Sequence, residues 1–146
     1  NEDVDISWRA QLAGYKVYYE PSARAYHKHS ATSSKIPGFT TTQVFQNLPL
    51  VYWKNVPTRL LLPIGWRFFL AYHMFLVWKI GQGAFVPAIK GIWRCWKLFP
   101  HALRERRKIQ RSKVVDTAYL RTIIWPNLPV KSFNRIRRLF GVKYQK

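Results

Sequence analysis

A long apolar run near the middle of the chain restricts its fold more than any other feature. Nineteen residues from Leu60 to Trp78 lie between Arg59 and Lys79 and are apolar on almost every side. This length is close to the roughly 20 residues with which a helix crosses a bilayer. A membrane therefore has to be considered as the environment of this segment.

Interruptions in the run argue against a simple span. Four residues interrupt it: Pro63, Gly65, Arg67 and His73. An arginine near the middle of a membrane costs about 2.5–3.5 kcal/mol on insertion scales. Downstream, Trp93 and Trp96 alternate with Lys and Arg, a pattern typical of the lipid headgroup layer. We therefore favour helices that lie in the membrane interface, with a true span as the alternative.

Charge is distributed very unevenly. The chain has 25 Lys and Arg against 6 Asp and Glu, a net charge of +19. Residues 1–20 hold four of the acids against Arg9 and Lys16, a net of −2, so residues 21–146 carry the remaining +21. Such a cationic body favours an anionic partner, either nucleic acid or the anionic face of a membrane. The single cysteine, Cys95, excludes an internal disulfide and is compatible with a reducing compartment.

A membrane fits the basic part of the chain better than nucleic acid does. Aromatic residues between 66 and 78 form a long apolar run, whereas a single-strand groove interleaves them with charge. A nucleic-acid groove would also leave a large apolar patch exposed. The apolar run is equally the main objection to a soluble helical domain with a solvated basic face. We expect an anionic membrane surface and no nucleic acid, the other two hypotheses remaining as alternatives.

The first 35 residues have the pattern of a small α/β unit. Residues 2–13 predict a helix with acids in its first turn, an Asp5–Arg9 pair at i,i+4, and a stop at Gly14. The stretch YKVYYEP predicts a strand, and ARAYHKH predicts a second extended segment before a Ser/Thr-rich loop. We expect the other strands of this unit to precede Asn1, which is then a truncation point.

This order of helix, glycine turn, strand and histidine resembles the closing part of the inverting family 2 glycosyltransferases. The likeness is greatest to bacterial rhamnosyltransferase-like members. It extends from residue 2 to residue 32, EDVDISWRAQLAGYKVYYEPSARAYHKHSAT. A second, weaker stretch is QNLPLVYWKNVP, with Asn47, Lys54, Asn55 and Pro57; beyond residue 60 only composition agrees.

The resemblance implies an α/β fold followed by membrane-associated helices. Residues 1–35 would be the C-terminal end of a GT-A catalytic domain, and residues 36–57 a connecting segment that prolines break into short elements. Residues 58–113 would form basic, aromatic-rich membrane-associated helices, and residues 114–146 a basic tail. The earlier strands of this family, which bind the nucleotide and carry its DxD motif, are not in the sequence. We therefore expect this piece to be inactive by itself.

The resemblance also assigns roles to individual residues. Asp3 would be the general base that takes the proton of the acceptor hydroxyl, and Glu2 would help to position the acceptor. His27 would complete the coordination of a divalent metal, and Trp8 and Arg9 would belong to the helix behind the acceptor site. Without the resemblance, acids in a first helical turn are more often caps. Without the resemblance, the triplet HKH next to a Ser/Thr loop is likewise more often part of a solvated loop than a metal ligand.

The implied reaction is a single displacement. A sugar would pass from a nucleotide diphosphate sugar to a hydroxyl of a lipid-linked or cell-surface glycan, at the cytoplasmic face of the bacterial plasma membrane. An ionised carboxylate assists because the attacking hydroxyl loses its proton. Mg²⁺ or Mn²⁺ would neutralise the charge that develops on the leaving diphosphate. The alternative function is a non-catalytic, basic membrane-binding module.

Overall fold

The computed structural model describes residues 2–24, 26 and 35–124. In these residues the chain forms five α-helices: α1 (Glu2–Leu12), α2 (Phe39–Asn55), α3 (Thr58–Gly81), α4 (Phe85–Arg111) and α5 (Thr117–Ile123). Helices α2 and α4 run parallel and in direct contact, and α3 runs antiparallel to them along one side of the pair. Helices α1 and α5 pack against the end of this group at which α2 and α4 finish.

The predicted α/β fold is wrong, because the described residues are helical and contain no strand. The stretch predicted as a strand, residues 15–20, has no regular secondary structure, and the Tyr18 and Tyr19 side chains are 80% and 88% exposed. A strand requires a neighbour to which its backbone can hydrogen-bond, and β-propensity depends on that context. No described segment supplies such a neighbour. The second extended segment falls mostly on residues outside the described ranges.

The prediction of a helix at the N-terminus is confirmed. Helix α1 ends at Leu12, and Gly14 adopts a positive φ of 86°. Gly14 N donates to Gln11 O at 3.1 Å, and Tyr15 N donates to Ala10 O at 2.9 Å. This is the Schellman arrangement that a glycine just past a helix end permits.

Helix α2 is continuous through a proline, so the prediction that prolines divide this segment is wrong for Phe39–Asn55. Pro49 has no N–H to donate to the carbonyl of Phe45, four residues earlier. That carbonyl instead accepts a hydrogen bond from the Tyr72 hydroxyl of α3 at 3.1 Å. A side chain from another helix therefore replaces the missing backbone donor.

Helices α2 and α4 approach each other closely at Gly91. A Cβ atom at this position would lie 2.5 Å from the carbonyl oxygen of Thr42 and 2.8 Å from Cβ of Phe45. One turn earlier in α4, the carbonyl of Pro87 accepts a hydrogen bond from the Thr42 hydroxyl at 3.0 Å. The glycine is thus required by the contact between two backbones.

Arg106 of α4 holds the turn between α2 and α3. Its half-buried guanidinium donates to the carbonyls of Trp53 and Val56, the latter at 2.6 Å, and to Thr58 Oγ1 at 3.0 Å. The last carbonyls of a helix lack partners within that helix, and Arg106 supplies donors for them.

A buried cluster at the same end joins α1 and α5 to the other helices. Its fully buried members come from four helices and the turn after α2: Leu12, Tyr52, Val56, Leu60 and Leu120. Val114 N donates to Leu12 O at 2.9 Å, and the Tyr119 hydroxyl donates to Gln11 Oε1 at 2.8 Å. The orientation of α1, with its acidic first turn, is fixed by this cluster.

Candidate active site at the start of α1

Asp5 anchors the acidic first turn of α1 to α2. Its carboxylate accepts a hydrogen bond from Lys54 Nζ at 2.8 Å and another from Asn55 Nδ2 at 2.6 Å. The Asn55 side chain is completely buried, and its amide also donates to Val51 O at 3.1 Å. Asp5 and Lys54 belong to the two stretches on which the resemblance rests, and the structure brings these stretches into contact.

The carboxyl group of Asp5 is ionised at neutral pH. Partial burial raises its pKa, but hydrogen bonds from Lys54 and Asn55, with the charges of Lys54 and Arg9, bring it below the ordinary value of 3.8. The predicted Asp5–Arg9 pair is present, but its nitrogen-to-oxygen distance is 3.9 Å and Arg9 is exposed. Lys54 is therefore the principal charged partner of Asp5.

A cleft of about 290 Å³ lies beside this anchor, between α1, α2 and α4. Its floor is apolar, and its polar lining combines carboxylate, amide, ammonium and imidazole groups: Glu2, Asp5, Asn47, Lys54 and His101. This set includes both donors and acceptors, which a ligand rich in hydroxyl groups requires. Glu2, predicted to position an acceptor, lies at this cleft.

Asp3, the predicted general base, lies on the other side of α1. Each helical residue advances by about 100°, so Asp3 is about 160° around the axis from Asp5. The Asp3 side chain is exposed, in the first turn of the helix. The structure therefore does not bring Asp3 into the cleft with Glu2; it directs this carboxylate away from the helical group.

The two residues predicted to support the acceptor site differ in their surroundings. Trp8 is half-buried and packs against the buried cluster that orients α1. Arg9 is exposed at the edge of a broader recess between α1 and α4. Trp8 thus contributes to holding α1 in place, whereas Arg9 remains accessible to solvent.

His27, the predicted metal ligand, lies outside the described residues. Within residues 2–24, 26 and 35–124, no group of three or more His, Cys, Asp and Glu side chains is placed to hold a metal ion. The described residues by themselves therefore do not fit the implied divalent metal. The role of His27 remains a prediction, and we assign no step to a metal.

The sequence pattern predicts no role for Lys54 or His101, and it does not identify the partner of Asp5. Lys54 is 49 residues from Asp5 in sequence. The local spacing of α1 points only to Arg9, and no signal in the sequence links His101 to Glu2. Membership of Lys54 and Asn55 in the second resembling stretch was the only indication that they mattered.

The outward side of α3 is apolar along its length, and we call it the outer face of α3. Its members are all exposed: Leu62, Trp66, Leu70, Met74, Val77 and Trp78. Among the described helices, α3 alone combines the length and the composition needed to cross a membrane. Arg67 interrupts this surface, with its guanidinium 5.1 Å from the centre of the Trp66 ring.

No protein-family model, curated protein or solved structure matches this chain. The function is therefore inferred from the residues of this chain, from their contacts, and from the resemblance of its two stretches. The contact between those stretches through Asp5 is the main geometric observation at this site.

Proposed function

We propose that this chain belongs to a glycosyltransferase and provides its acceptor-side carboxylate and its membrane contact. The sugar donor would be a nucleotide diphosphate sugar, and the acceptor a hydroxyl of a lipid-linked or cell-surface glycan. The main support is the contact of Asp5 with Lys54 and Asn55, which unites the two stretches that resemble family 2 glycosyltransferases. Two segments far apart in sequence thus act together to position the acidic turn.

Asp3 is the general base of the proposed reaction. The acceptor hydroxyl attacks the anomeric carbon, its proton passes to the Asp3 carboxylate, and the nucleotide diphosphate departs with inversion at that carbon. An exposed carboxylate in the first turn of a helix suits this role, because substrate can reach it and a carboxylate can accept the hydroxyl proton. Glu2, at the adjacent cleft, would orient the acceptor through its other hydroxyl groups.

The helical part holds the enzyme at the cytoplasmic face of the bacterial plasma membrane. The outer face of α3 would contact lipid hydrocarbon, and the cationic surface would meet anionic headgroups. Each Lys or Arg near such a surface contributes about 1 kcal/mol to binding. With a net charge of +19, the chain has cations enough for a strong attraction. This placement suits an acceptor that is itself attached to a lipid.

Asp3→Asn tests the proposed base. The proposed reaction needs nucleotide-binding strands that residues 1–146 do not contain, so the variant is made in the product of the complete reading frame. We expect the turnover number to fall by at least about 100-fold, the lower range for loss of a general base, with donor binding nearly unchanged. Turnover is measured with membrane fractions and a labelled donor, and donor binding by calorimetry.

Glu20→Gln is the matched control, because it removes another exposed carboxylate that lies outside α1. We expect this variant to keep full activity. Normal turnover in Asp3→Asn would show that Asp3 is not the base. An equal loss in both variants would point to a general effect of charge.

A non-catalytic membrane-binding module is the second candidate function. The exposed outer face of α3 favours it, since monomeric soluble proteins rarely expose so large an apolar surface. Flotation with anionic liposomes that persists in high salt is expected for either candidate. Absence of transferase activity from the complete product, together with flotation, would favour the second.

A further inference from the structure

The apolar outer face of α3 continues onto the neighbouring side of α4. Phe69 of α3 and Trp96 of α4 line one recess between the two helices, and both are exposed at its rim. On this side of α4 the exposed apolar residues, which we call the apolar flank, are Phe85, Val86, Ile89, Trp93 and Trp96. Gly91, which contacts α2, follows Ile89 by two residues and so lies about 160° around α4. The two helices therefore share one apolar surface, and on α4 this surface is turned away from α2.

Arginines occupy the same side of α4 five turns further along. Each of Val86, Ile89 and Trp93 is followed 18 residues later by an exposed arginine. Eighteen residues make five complete turns, so each arginine lies on the side of its apolar counterpart. In chain order these are Arg104, Arg107 and Arg111. On α3, the exposed Arg59 precedes Val77 of the outer face by the same interval. Because α3 is antiparallel to α4, the shared surface ends in these four arginines, which we call the arginine end.

Cations lie over exposed tryptophan rings of this surface on both helices. On α4, Lys97 Nζ is 5.3 Å from the centre of the Trp93 ring. On α3, Lys79 Nζ is 4.6 Å from the centre of the Trp78 ring. Tryptophan beside a basic side chain is typical of the headgroup layer of a membrane, where the ring is half in hydrocarbon and the cation meets phosphate. The surface thus complements a bilayer in both hydrophobicity and charge.

The packing of α4 against α3 argues against a transmembrane α3. The recess brings Phe69, at the middle of α3, beside Cys95 of α4. Arg94 and Lys97 are near neighbours of Cys95 in sequence and are exposed. If α3 crossed a membrane, both cations would lie near the bilayer centre together with Arg67. Each cation at that depth is costly, and neither helix has an acid within two turns of Cys95 that could pair with it.

We propose that α3 and α4 lie together along the surface of an anionic phospholipid bilayer, without crossing it. Their shared apolar surface would enter the acyl boundary, and the arginine end would meet the lipid phosphates. Leu98, which lines the cleft that contains Glu2, follows Trp96 by two residues and so lies about 160° around α4, toward the aqueous phase. The orientation rests on the membrane contact of the proposed function, but not on the transfer chemistry.

Depth along α3 separates this orientation from a span. Leu62→Cys, Leu70→Cys and Val77→Cys are made one at a time in the complete protein with Cys95→Ser, and each new thiol is labelled with a fluorophore. In vesicles of phosphatidylcholine and phosphatidylglycerol, quenching by lipids that carry spin labels at different depths locates each fluorophore. We expect the three depths to agree to within a few ångströms, because a helix along the surface keeps one side at one level.

A span gives a different profile. It would place the label at Leu70 about 10 Å deeper than those at Leu62 and Val77, because each residue advances about 1.5 Å along a helix, and this result would overturn the proposal. Absence of quenching at all three positions would overturn the orientation and the membrane contact together. Formation of a dimer in that case would assign the surface to a second copy of the chain. None of these results bears on Asp3, which the turnover of Asp3→Asn tests separately.

Two variants of equal charge test the part that α4 plays. Val86→Asp adds a carboxylate to the apolar flank, where the valine is 72% exposed, whereas Thr40→Asp adds one at an exposed position of α2. We expect Val86→Asp to bind vesicles of phosphatidylcholine and phosphatidylglycerol at least about tenfold more weakly, because burial of the valine in lipid is lost. Thr40→Asp should bind nearly as tightly as the unmodified protein. Equal affinities of the two variants, with unchanged helical circular dichroism, would exclude α4 from the contact.

Arg107→Gln tests the arginine end without altering the apolar flank. One cation near an anionic surface contributes a factor of about five to binding. We expect the affinity for vesicles that contain phosphatidylglycerol to fall by about that factor, and the affinity for vesicles of phosphatidylcholine alone to stay unchanged. An unchanged affinity for the anionic vesicles would exclude the arginine end from the headgroup contact and overturn the orientation.

Discussion

Removal of the Asp5 carboxylate should detach α1 from α2 without unfolding the other helices. Asp5→Ala deletes the acceptor of two hydrogen bonds, one from Lys54 and one from the buried Asn55 amide. Leaving a buried donor without a partner costs about 1–3 kcal/mol. We therefore expect the opening of α1 to become easier by about 2 kcal/mol.

The ion pair accounts for only part of this effect. The Lys54 and Asp5 side chains are 22% and 18% exposed, so solvent screens them less than a surface pair and more than a buried one. Exposed pairs contribute about 0.2–1 kcal/mol, and hydrogen bonds to charged groups about 1.5–3 kcal/mol. A double-mutant cycle of Asp5→Ala with Lys54→Met should accordingly give a coupling free energy of about 1 kcal/mol.

Hydrogen exchange measured by mass spectrometry resolves this local opening, which a global unfolding curve does not. Since each 1.4 kcal/mol is a factor of ten, peptides from α1 should exchange about 30-fold faster in Asp5→Ala. Arg9→Met is the control, because Arg9 is exposed and 3.9 Å from the carboxylate. Unchanged protection of α1 in Asp5→Ala, or an equal effect of Arg9→Met, would refute the anchoring role of Asp5.

Two further substitutions test the packing of α4 by its thermal unfolding midpoint. Gly91→Ala places a methyl group 2.5 Å from a carbonyl oxygen of α2 and should cost about 1–3 kcal/mol, whereas Gly81→Ala, with open space around it, should not destabilise the protein. An unchanged midpoint in Gly91→Ala would contradict the close approach of α2 and α4. Arg106→Met leaves two backbone carbonyls at the end of α2 without their donor and should cost about 2–3 kcal/mol, while Arg107→Met, at an exposed position, should stay within about 0.5 kcal/mol. Equal midpoints for the two arginine variants would exclude this role of Arg106.

The features that the sequence predicted correctly depend on neighbouring residues. Helix α1 and its stop at Gly14 follow from acids in a first turn and from a glycine that tolerates positive φ, both local properties. The apolar run that forms α3 is likewise visible in consecutive residues of the sequence. The signals for these elements lie within one segment each, so the local pattern was sufficient to predict them.

The features that the sequence did not predict depend on distant partners. Residues 15–20 have strand-like composition, but a strand needs a neighbour that the described residues do not provide. Pro49 is tolerated in α2 because a hydroxyl from Tyr72 reaches the carbonyl that the proline leaves free. The partner of Asp5 is 49 residues away, and the direction in which Asp3 faces follows only from how α1 is packed. Spacing within one segment contains none of this information.

The hydrogen bonds that Arg106 donates to the end of α2 have a consequence for biosynthesis. Arg106 follows Trp53, whose carbonyl it holds, by 53 residues. At about 5–20 residues per second, this interval lasts about 3–10 s, and the whole of α3 is synthesised within it. The synthesis of α3 is thus complete before α4 exists to complete the helical group. In the proposed membrane-bound enzyme, α3 would therefore be available to lipid before α4 completes the helical group.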